Sequence, residues 1–179
     1  MDYKYLDKID KDTIKELFTS VFTSSEGKDE GLLIGELASK LASGIDNQNI
    51  FCFGVYINNE LVGSIFFTRL AFNTTEIKVY MLSPVAVSTQ HQRKGVGKSL
   101  INFGLDELKR KGVDAVITYG DPSYYSKVGF THLPQSTIQP PLKLSMPEGW
   151  LGQSLTKNPI PVIKESPTCV KAFNNPAYW

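Results

Sequence analysis

Residues 85–100 read Val-Ala-Val-Ser-Thr-Gln-His-Gln-Arg-Lys-Gly-Val-Gly-Lys-Ser-Leu, a β-branched run, then a polar turn, then two glycines opening an amphipathic stretch. This arrangement suits phosphate. The first N–H groups of a helix have no intrahelical partner, and the aligned peptide dipoles add partial positive charge at that end. Glycine at 95 and 97 removes the Cβ atoms that would keep an anion off the backbone. Arg93, Lys94 and Lys98 add mobile positive charge around the same point.

Two familiar phosphate loops do not fit. A P-loop needs glycine five residues before Gly97, where Gln92 stands, and a dinucleotide fingerprint needs glycine at 100, where Leu100 stands. What remains is Gln92-x-x-Gly95-x-Gly97 between a strand and a helix, a pattern that close packing of a turn also produces. A second stretch is Gly120-Asp121-Pro122-Ser123-Tyr124-Tyr125-Ser126-Lys127-Val128-Gly129-Phe130. It predicts a short helix carrying two tyrosines, closed by Gly129 in the left-handed conformation. Paired tyrosines on such a helix ordinarily pack, the reading kept for Tyr124.

The elements that position these stretches follow from periodicity. Residues 3–9 fit a first strand, and 12–22 a helix with Ile14, Leu17, Phe18, Val21 and Phe22 on one face. Ser24-Ser25-Glu26-Gly27 breaks it before a second helix over 31–42, with Leu32, Leu33, Leu37 and Leu41 as the apolar stripe and Gly44 as its stop. Strand-like runs cover 50–57, 61–72 and 77–87, and Asn58-Asn59 marks a hairpin between the first two. Ser83-Pro84 falls inside the third run, and proline cannot donate to a ladder, so pairing on that side stops there.

The helix opened by the glycines runs to about 111, with Val96, Leu100, Ile101, Gly104, Leu105 and Leu108 inward. Lys109, Arg110 and Lys111 suit its negative end, and Gly112 its stop. A buried strand over 114–119 completes a βαβ unit around the glycine loop. From Pro134 onward, eight prolines exclude a long helix, leaving short strands near 130–133 and 149–156 and then an extended tail.

At 179 residues, 41% hydrophobic and 21% charged, the chain supports one domain with a real core. A formal net charge of +1 argues against nucleic acid or an acidic membrane as partner. Cys52 and Cys169 lack metal-ligand spacing, so no metal is expected, and Cys52 between Phe51 and Phe53 reads as a buried thiol. The charged N-terminus lacks an apolar leader and no segment has the length of a membrane span, which predicts a cytoplasmic setting.

Two motifs in this order resemble the GNAT superfamily of acetyl-CoA-dependent N-acetyltransferases: the Gln92-x-x-Gly95-x-Gly97 loop, and the tyrosine four residues before Gly129-Phe130. The Gly-Asp-Pro-x-Tyr-Tyr form is similar to one small bacterial branch of that superfamily. The resemblance covers roughly 1–157, with 158–179 as a proline-containing extension packed on the same domain. It implies an α/β (α+β) fold, a mixed twisted sheet of about six to seven strands flanked by about four helices. It also implies acetyl-CoA as co-substrate and a small-molecule or peptidyl amine as acceptor. A homodimer through exposed strands is compatible with it.

By that resemblance, Val85, Ala86 and Val87 hold the pantetheine arm through main-chain bonds. Amides from Arg93 through Lys94, Gly95, Val96, Gly97 and Lys98 to Ser99 hold the pyrophosphate, and Gln92 braces the loop or bonds a phosphate oxygen. Tyr125 is the general acid for the departing thiolate, and an N–H near 85–87 steadies the carbonyl oxygen. The departure concerns the base: Met81 stands where several relatives carry glutamate. Water, Glu30 or Glu36 could take the proton instead, while His91 and His132 read as surface or structural. A catalytically silent acetyl-CoA-binding module is the alternative reading. Phe22, Phe72 and Trp150 are candidates for an acceptor pocket, core packing being the competing role for the first two.

Overall fold

Punctuation by glycine and asparagine decides where the first elements end. The computed structural model describes residues 1–179. Strand β1 (Asp2–Tyr5) is followed by helices α1 (Lys11–Glu26) and α2 (Lys28–Ser43), then strands β2 (Ile50–Ile57), β3 (Glu60–Leu70) and β4 (Val79–Val87). Helix α3 (Val96–Arg110), strand β5 (Ala115–Tyr119), the one-turn helix α4 (Pro122–Tyr125), and strands β6 (Thr131–His132) and β7 (Trp150–Ser154) complete the regular elements. The strands form one seven-stranded sheet in the order β1-β2-β3-β4-β5-β7-β6. Strands β4 and β5 pair parallel, whereas β1–β2, β5–β7 and β6–β7 are antiparallel. The expected α/β architecture is the one observed.

The chain divides into two compact units, Met1–Phe67 with Pro84–Gly104, and Thr68–Ser83 with Leu105–Trp179. In the first, Phe53 meets Phe67 and Phe103 edge to face at 5.7 and 5.8 Å, and Phe18 packs on Phe66 at 5.9 Å. Each such pair adds about 0.5–1.5 kcal/mol beyond its buried area. Cys52 lies among them, fully buried, and desolvation pushes its thiol up to about 12. Asn58 (φ 51°) and Asn59 (φ 66°) are both left-handed, the geometry of a two-residue hairpin turn that matches strand twist.

Several expected boundaries move. The first strand ends at Tyr5 rather than 9, because the charged Asp7-Lys8 pair forms a bend and Asp10 caps α1 by accepting the Thr13 N–H at 2.9 Å. Helix α1 continues through Ser24-Ser25-Glu26, and Gly27 (φ 98°) alone breaks it. The stripe of α2 is also different: Leu32 is 50% exposed, and Gly31, Ile34, Gly35, Leu37, Ala38, Leu41 and Ala42 face inward. Gly31 and Gly35 explain the rotation. A Cβ on Gly31 would stand 1.9 Å from Thr23 Oγ1 and 2.8 Å from both the Thr19 carbonyl oxygen and the Thr23 nitrogen. The helices meet backbone to backbone, so the glycine edge, not the leucine-richest edge, must face α1. Gly44 ends α2 at φ −106°, without the left-handed turn expected of it.

In the second unit, the 61–72 and 77–87 runs shorten to Leu70 and Val79, and the connection between them is tied to the later chain. Ala71 bridges Thr168, and the Glu165 carboxylate accepts Asn73 N–H, Thr74 N–H and the Thr74 hydroxyl at 2.7–2.9 Å. Strands 130–133 and 149–156 contract to Thr131–His132 and Trp150–Ser154, ended by the neighbouring prolines and turns. The tail is not simply extended, since single 3₁₀ turns form at Lys171–Phe173 and Pro176–Tyr178. Trp179 is buried, stacked on Tyr119 at 6.3 Å and tilted against Trp150 at 6.2 Å. Its indole N–H donates to the Phe173 carbonyl at 2.9 Å. Trp150 is fully buried with its own indole N–H on the Ile138 carbonyl, which makes it a core residue and not part of an acceptor pocket.

Gly31→Ala gains helix propensity of about 1 kcal/mol but overpacks against backbone that cannot yield, and the second effect wins. Chemical denaturation should show a net loss of about 1–3 kcal/mol. An equally or more stable variant would mean that the two helices do not meet through this position.

Candidate active site

The glycine loop belongs to the first unit. Val85 is half-buried, Ala86 and Val87 are buried, and the chain leaves the sheet at Ser88, whose N–H donates to the Val62 carbonyl at 2.8 Å. A single 3₁₀ turn over Thr89–His91 follows, held by the His91 N–H on the Ser88 carbonyl and by a 2.7 Å contact of Ser88 Oγ with His91 Nδ1. His91 therefore serves the turn. Gln92 Nε2 donates to the Val87 carbonyl at 2.8 Å, lashing the loop to the end of β4. Of the two roles expected for Gln92, the brace is the one this bond describes.

Arg93 (φ 60°) and Gly95 (φ 81°) are both left-handed, and α3 begins at Val96. A non-glycine residue held in that region costs roughly 1–2 kcal/mol. Such strain persists where the surroundings over-determine it, which happens most often at functional turns. Nothing lies within 4 Å of the position a Cβ would take on Gly95, so the approach to this backbone is open. The first α3 hydrogen bond is from Ser99 N–H to the Gly95 carbonyl. The amides of Val96, Gly97 and Lys98 precede it and have no helical partner. Arg93, Lys94 and Lys98 are exposed and take no part in the chain's ion pairs, Lys15–Glu36 and Arg110–Glu107. Unpaired amides, a helix dipole and three free cations around an open glycine are a fit for a pyrophosphate.

Strand β4 is paired on the β5 side only over its first part. The parallel ladder runs from Val79↔Ala115 to Leu82↔Thr118, and β4 then continues through Pro84 to Val87. The backbone of the later residues is left for something other than β5, as Ser83-Pro84 led one to expect.

Tyr125 belongs to the second unit. Asp121 caps α4, accepting the Ser123 N–H at 2.9 Å, and Gly129 (φ 92°) closes the following turn as expected. The Tyr125 ring lies against Gly120, where a Cβ would come within 2.6 Å of its Cε2. Tyr124 and Phe130 meet it edge to face at 5.0 and 5.8 Å. Part of the residue is exposed, yet its hydroxyl is crowded by protein atoms. That desolvation raises its pKa well above the usual tyrosine value, while an interaction with the Thr118 hydroxyl pulls it partly back.

Met81, standing where the resemblance implies a glutamate, is buried. Glu36 is ion-paired with Lys15 at 2.7 Å, and that hydrogen bond holds its carboxyl below the usual range, the wrong direction for a base. His132 is exposed on the edge strand β6. No three His, Cys, Asp or Glu side chains cluster to hold a metal, and no helix is long and apolar enough to cross a membrane. The sequence assigns no role to Thr118, and it shows Gly120 only as the first residue of the second motif. The available signal was a hydroxyl in the buried run Ala115-Val116-Ile117, since a buried hydroxyl needs a partner.

The comparisons with known proteins agree on the family. The acetyltransferase (GNAT) domain family matches residues 2–133. The chain belongs to the GNAT acetyltransferases, and is by family an acyltransferase. It is 28% identical over 159 residues to the uncharacterized N-acetyltransferase YjhQ of Escherichia coli K12, covering 86% of this chain and 84% of that protein. Its fold is similar to the E. coli N-acetyltransferase YhbS solved with CoA, at a TM-score of 0.73 and 20% identity, covering 87% of this chain and 81% of that one. It is also similar to a GNAT acetyltransferase of Brucella melitensis solved with acetyl-CoA, at a TM-score of 0.69 and 19% identity, over 97% and 99% of the two chains.

Gly120→Ala should push the Tyr125 ring aside, because the new methyl needs the space that ring occupies. A displacement of this order costs up to about 100-fold in turnover. Acetyl-transfer assays should show at least about a tenfold loss. Undiminished transfer would mean that the ring's seat is irrelevant to the reaction.

Proposed function

We propose that this protein transfers the acetyl group of acetyl-CoA to a primary amine by direct attack, with Tyr125 as general acid. Residues 1–157 are the transferase domain in this reading, and 158–179 its extension. The observation that carries it is the open glycine loop: unpaired amides at the start of α3, a strained Arg93, and a Gly95 with nothing beside it. The amides from Arg93 to Lys98 hold the pyrophosphate, the Ser99 amide being taken by the Gly95 carbonyl, while Lys94 and Lys98 act on outer phosphates as point charges. The later part of β4, Val85 to Val87, outside the β5 ladder, accepts the pantetheine arm as a short pseudo-strand. An N–H there steadies the carbonyl oxygen as charge develops.

The amine nitrogen forms its bond to the acetyl carbon, the carbon–sulfur bond breaks, and Tyr125 supplies a proton to the leaving sulfur. Burial of the Tyr125 hydroxyl supports this role, because it keeps the proton in place at any pH where the amine can react. With Met81 at the base position and Glu36 held by Lys15, the acceptor loses its proton to water or Glu30, or arrives neutral. The acceptor is a small amine, consistent with a net charge of only +1, which favours neither strongly basic nor strongly acidic partners. The buried Met81 also favours a second reading, a module that binds acetyl-CoA without turnover.

Thiol release from acetyl-CoA across polyamine, aminoglycoside, aminoacyl and peptide amines separates the two readings. Tyr125→Phe should lower kcat about 10- to 1,000-fold and leave acetyl-CoA affinity unchanged. Weaker binding at unchanged turnover would remove Tyr125 from the chemistry. The pH profile of kcat/KM should rise as the amine deprotonates. It should show no fall from Tyr125 below about pH 10, since the raised pKa keeps the acid protonated to higher pH, not lower. Calorimetric titration of Gly95→Glu should show acetyl-CoA binding abolished. Wild-type affinity in that variant would reduce the loop to a packed turn.

A further inference from the structure

A closed set of bonds seats the loop 145–149 against the end of β5, with Tyr119 at its centre. The Tyr119 hydroxyl accepts the Met146 N–H at 2.8 Å and lies 3.2 Å from Ser145 Oγ. Ser145 in turn donates its hydroxyl and its N–H to the Trp179 main-chain oxygen at 2.6 and 3.0 Å. The Tyr119 ring is enclosed as well. Trp179 stacks on it at 6.3 Å, and a Cβ on Gly149 would stand 3.3 Å from its Cδ1 and Cε1. The Met146 carbonyl accepts the Gly149 N–H at 2.9 Å, closing the turn Pro147–Gly149.

This loop reaches the tyrosine that carries the acid role. The Gly149 carbonyl accepts the Gly120 N–H at 3.0 Å, while the Tyr125 ring fills the space where a Cβ on Gly120 would go. Gly120 therefore has Tyr125 on its side-chain side and the loop along its peptide edge. The place is the carboxyl end of β5, just past the parallel ladder with β4, and open α/β sheets bind ligands in crevices at such ends. Ile117 pairs with Met81, so Tyr119, two residues further on, stands on the same face of the sheet as Met81. Met146 is 60% exposed, although its backbone is pinned by Tyr119. A methionine held this way presents a flexible, polarizable chain that adapts to apolar ligands of varied shape.

We propose that Met146 is a specificity-determining residue that contacts the apolar body of the acceptor amine, and that Tyr119 is the positioning residue that holds it beside the acid. The acceptor class is then a primary amine carrying an aliphatic or aromatic body. The inference rests on the transferase reading with Tyr125 as acid. The amine nitrogen bonds to the acetyl carbon, the carbon–sulfur bond breaks with its electron pair on sulfur, sulfur takes the Tyr125 proton, and the proton of the amine returns to Tyr125 through water. Nitrogen and sulfur occupy different corners of the tetrahedral intermediate. The contacts of the acceptor therefore belong next to the acid and not upon it, which is where Gly120 places the loop.

The test follows thiol release from acetyl-CoA on the full chain with two primary amines, n-hexylamine and ethanolamine. The wild-type protein should favour n-hexylamine in kcat/KM. Met146→Ser should lower the ratio of the two kcat/KM values about tenfold, the discrimination that a small apolar contact supplies, and Met146→Leu should restore most of it. Tyr119→Phe keeps the stacked ring and removes the hydroxyl. It should shrink the same ratio, through KM for n-hexylamine more than through kcat. A purely structural loop would slow both amines alike and leave the ratio where it was, so an unmoved ratio in Met146→Ser overturns the proposal. So does failure to acetylate n-hexylamine while a hydrophilic amine of the panel reacts. If no amine releases thiol, n-hexylamine included, the transferase reading falls first and this inference with it.

Discussion

A parallel pair of strands that stops pairing partway leaves a row of peptide groups that must find partners elsewhere, and in this protein that happens after Leu82↔Thr118. Water can satisfy those groups, and so can an extended ligand lying where the next strand would be. The parting has two local causes. Pro84 contributes no N–H to a ladder, and β5 turns away after Tyr119 into Gly120 and the capped helix α4. Gln92 secures the far end of β4 through the Val87 carbonyl, and Thr118 closes its last paired carbonyl.

Glycine has distinct tasks at different positions. At Gly95 and Gly129 the backbone is left-handed, and the requirement is conformational. At Gly120 and Gly31 the requirement is space, for a tyrosine ring in one case and for a neighbouring helix backbone in the other. Substituting the first kind strains a turn, whereas substituting the second displaces a partner. The two are indistinguishable in a sequence, because both appear simply as Gly.

Most of the fold was legible because its signals are local. The inward face of α3, the Asn58-Asn59 hairpin, the stop at Gly112 and the closing turn at Gly129 depend on neighbours a few residues away. The glycine loop was legible for the same reason. The inward edge of α2 was not, since hydrophobicity favoured Leu32 while close helix packing selected Gly31 and Gly35. Nor was the burial of Trp150, whose indole depends on Ile138, or the tie from Glu165 to a loop more than ninety residues earlier. Thr118 was overlooked because its meaning lies in the Leu82 carbonyl, 36 positions away. Such pairings depend on which strands the topology brings together.

The aromatic cluster at Tyr119 has a practical side. The chain has two tryptophans, and both Trp150 and Trp179 lie in that cluster, 6.2 Å apart, within the unit formed by Thr68–Ser83 and Leu105–Trp179. Emission excited selectively in the indoles is therefore a spectroscopic reporter on one half of the molecule. Loss of order confined to α1, α2 and the glycine loop would leave that signal largely silent, while circular dichroism would record the lost helix. A disagreement between the two probes during unfolding would reveal the halves melting separately, and coincident curves would indicate that they melt together.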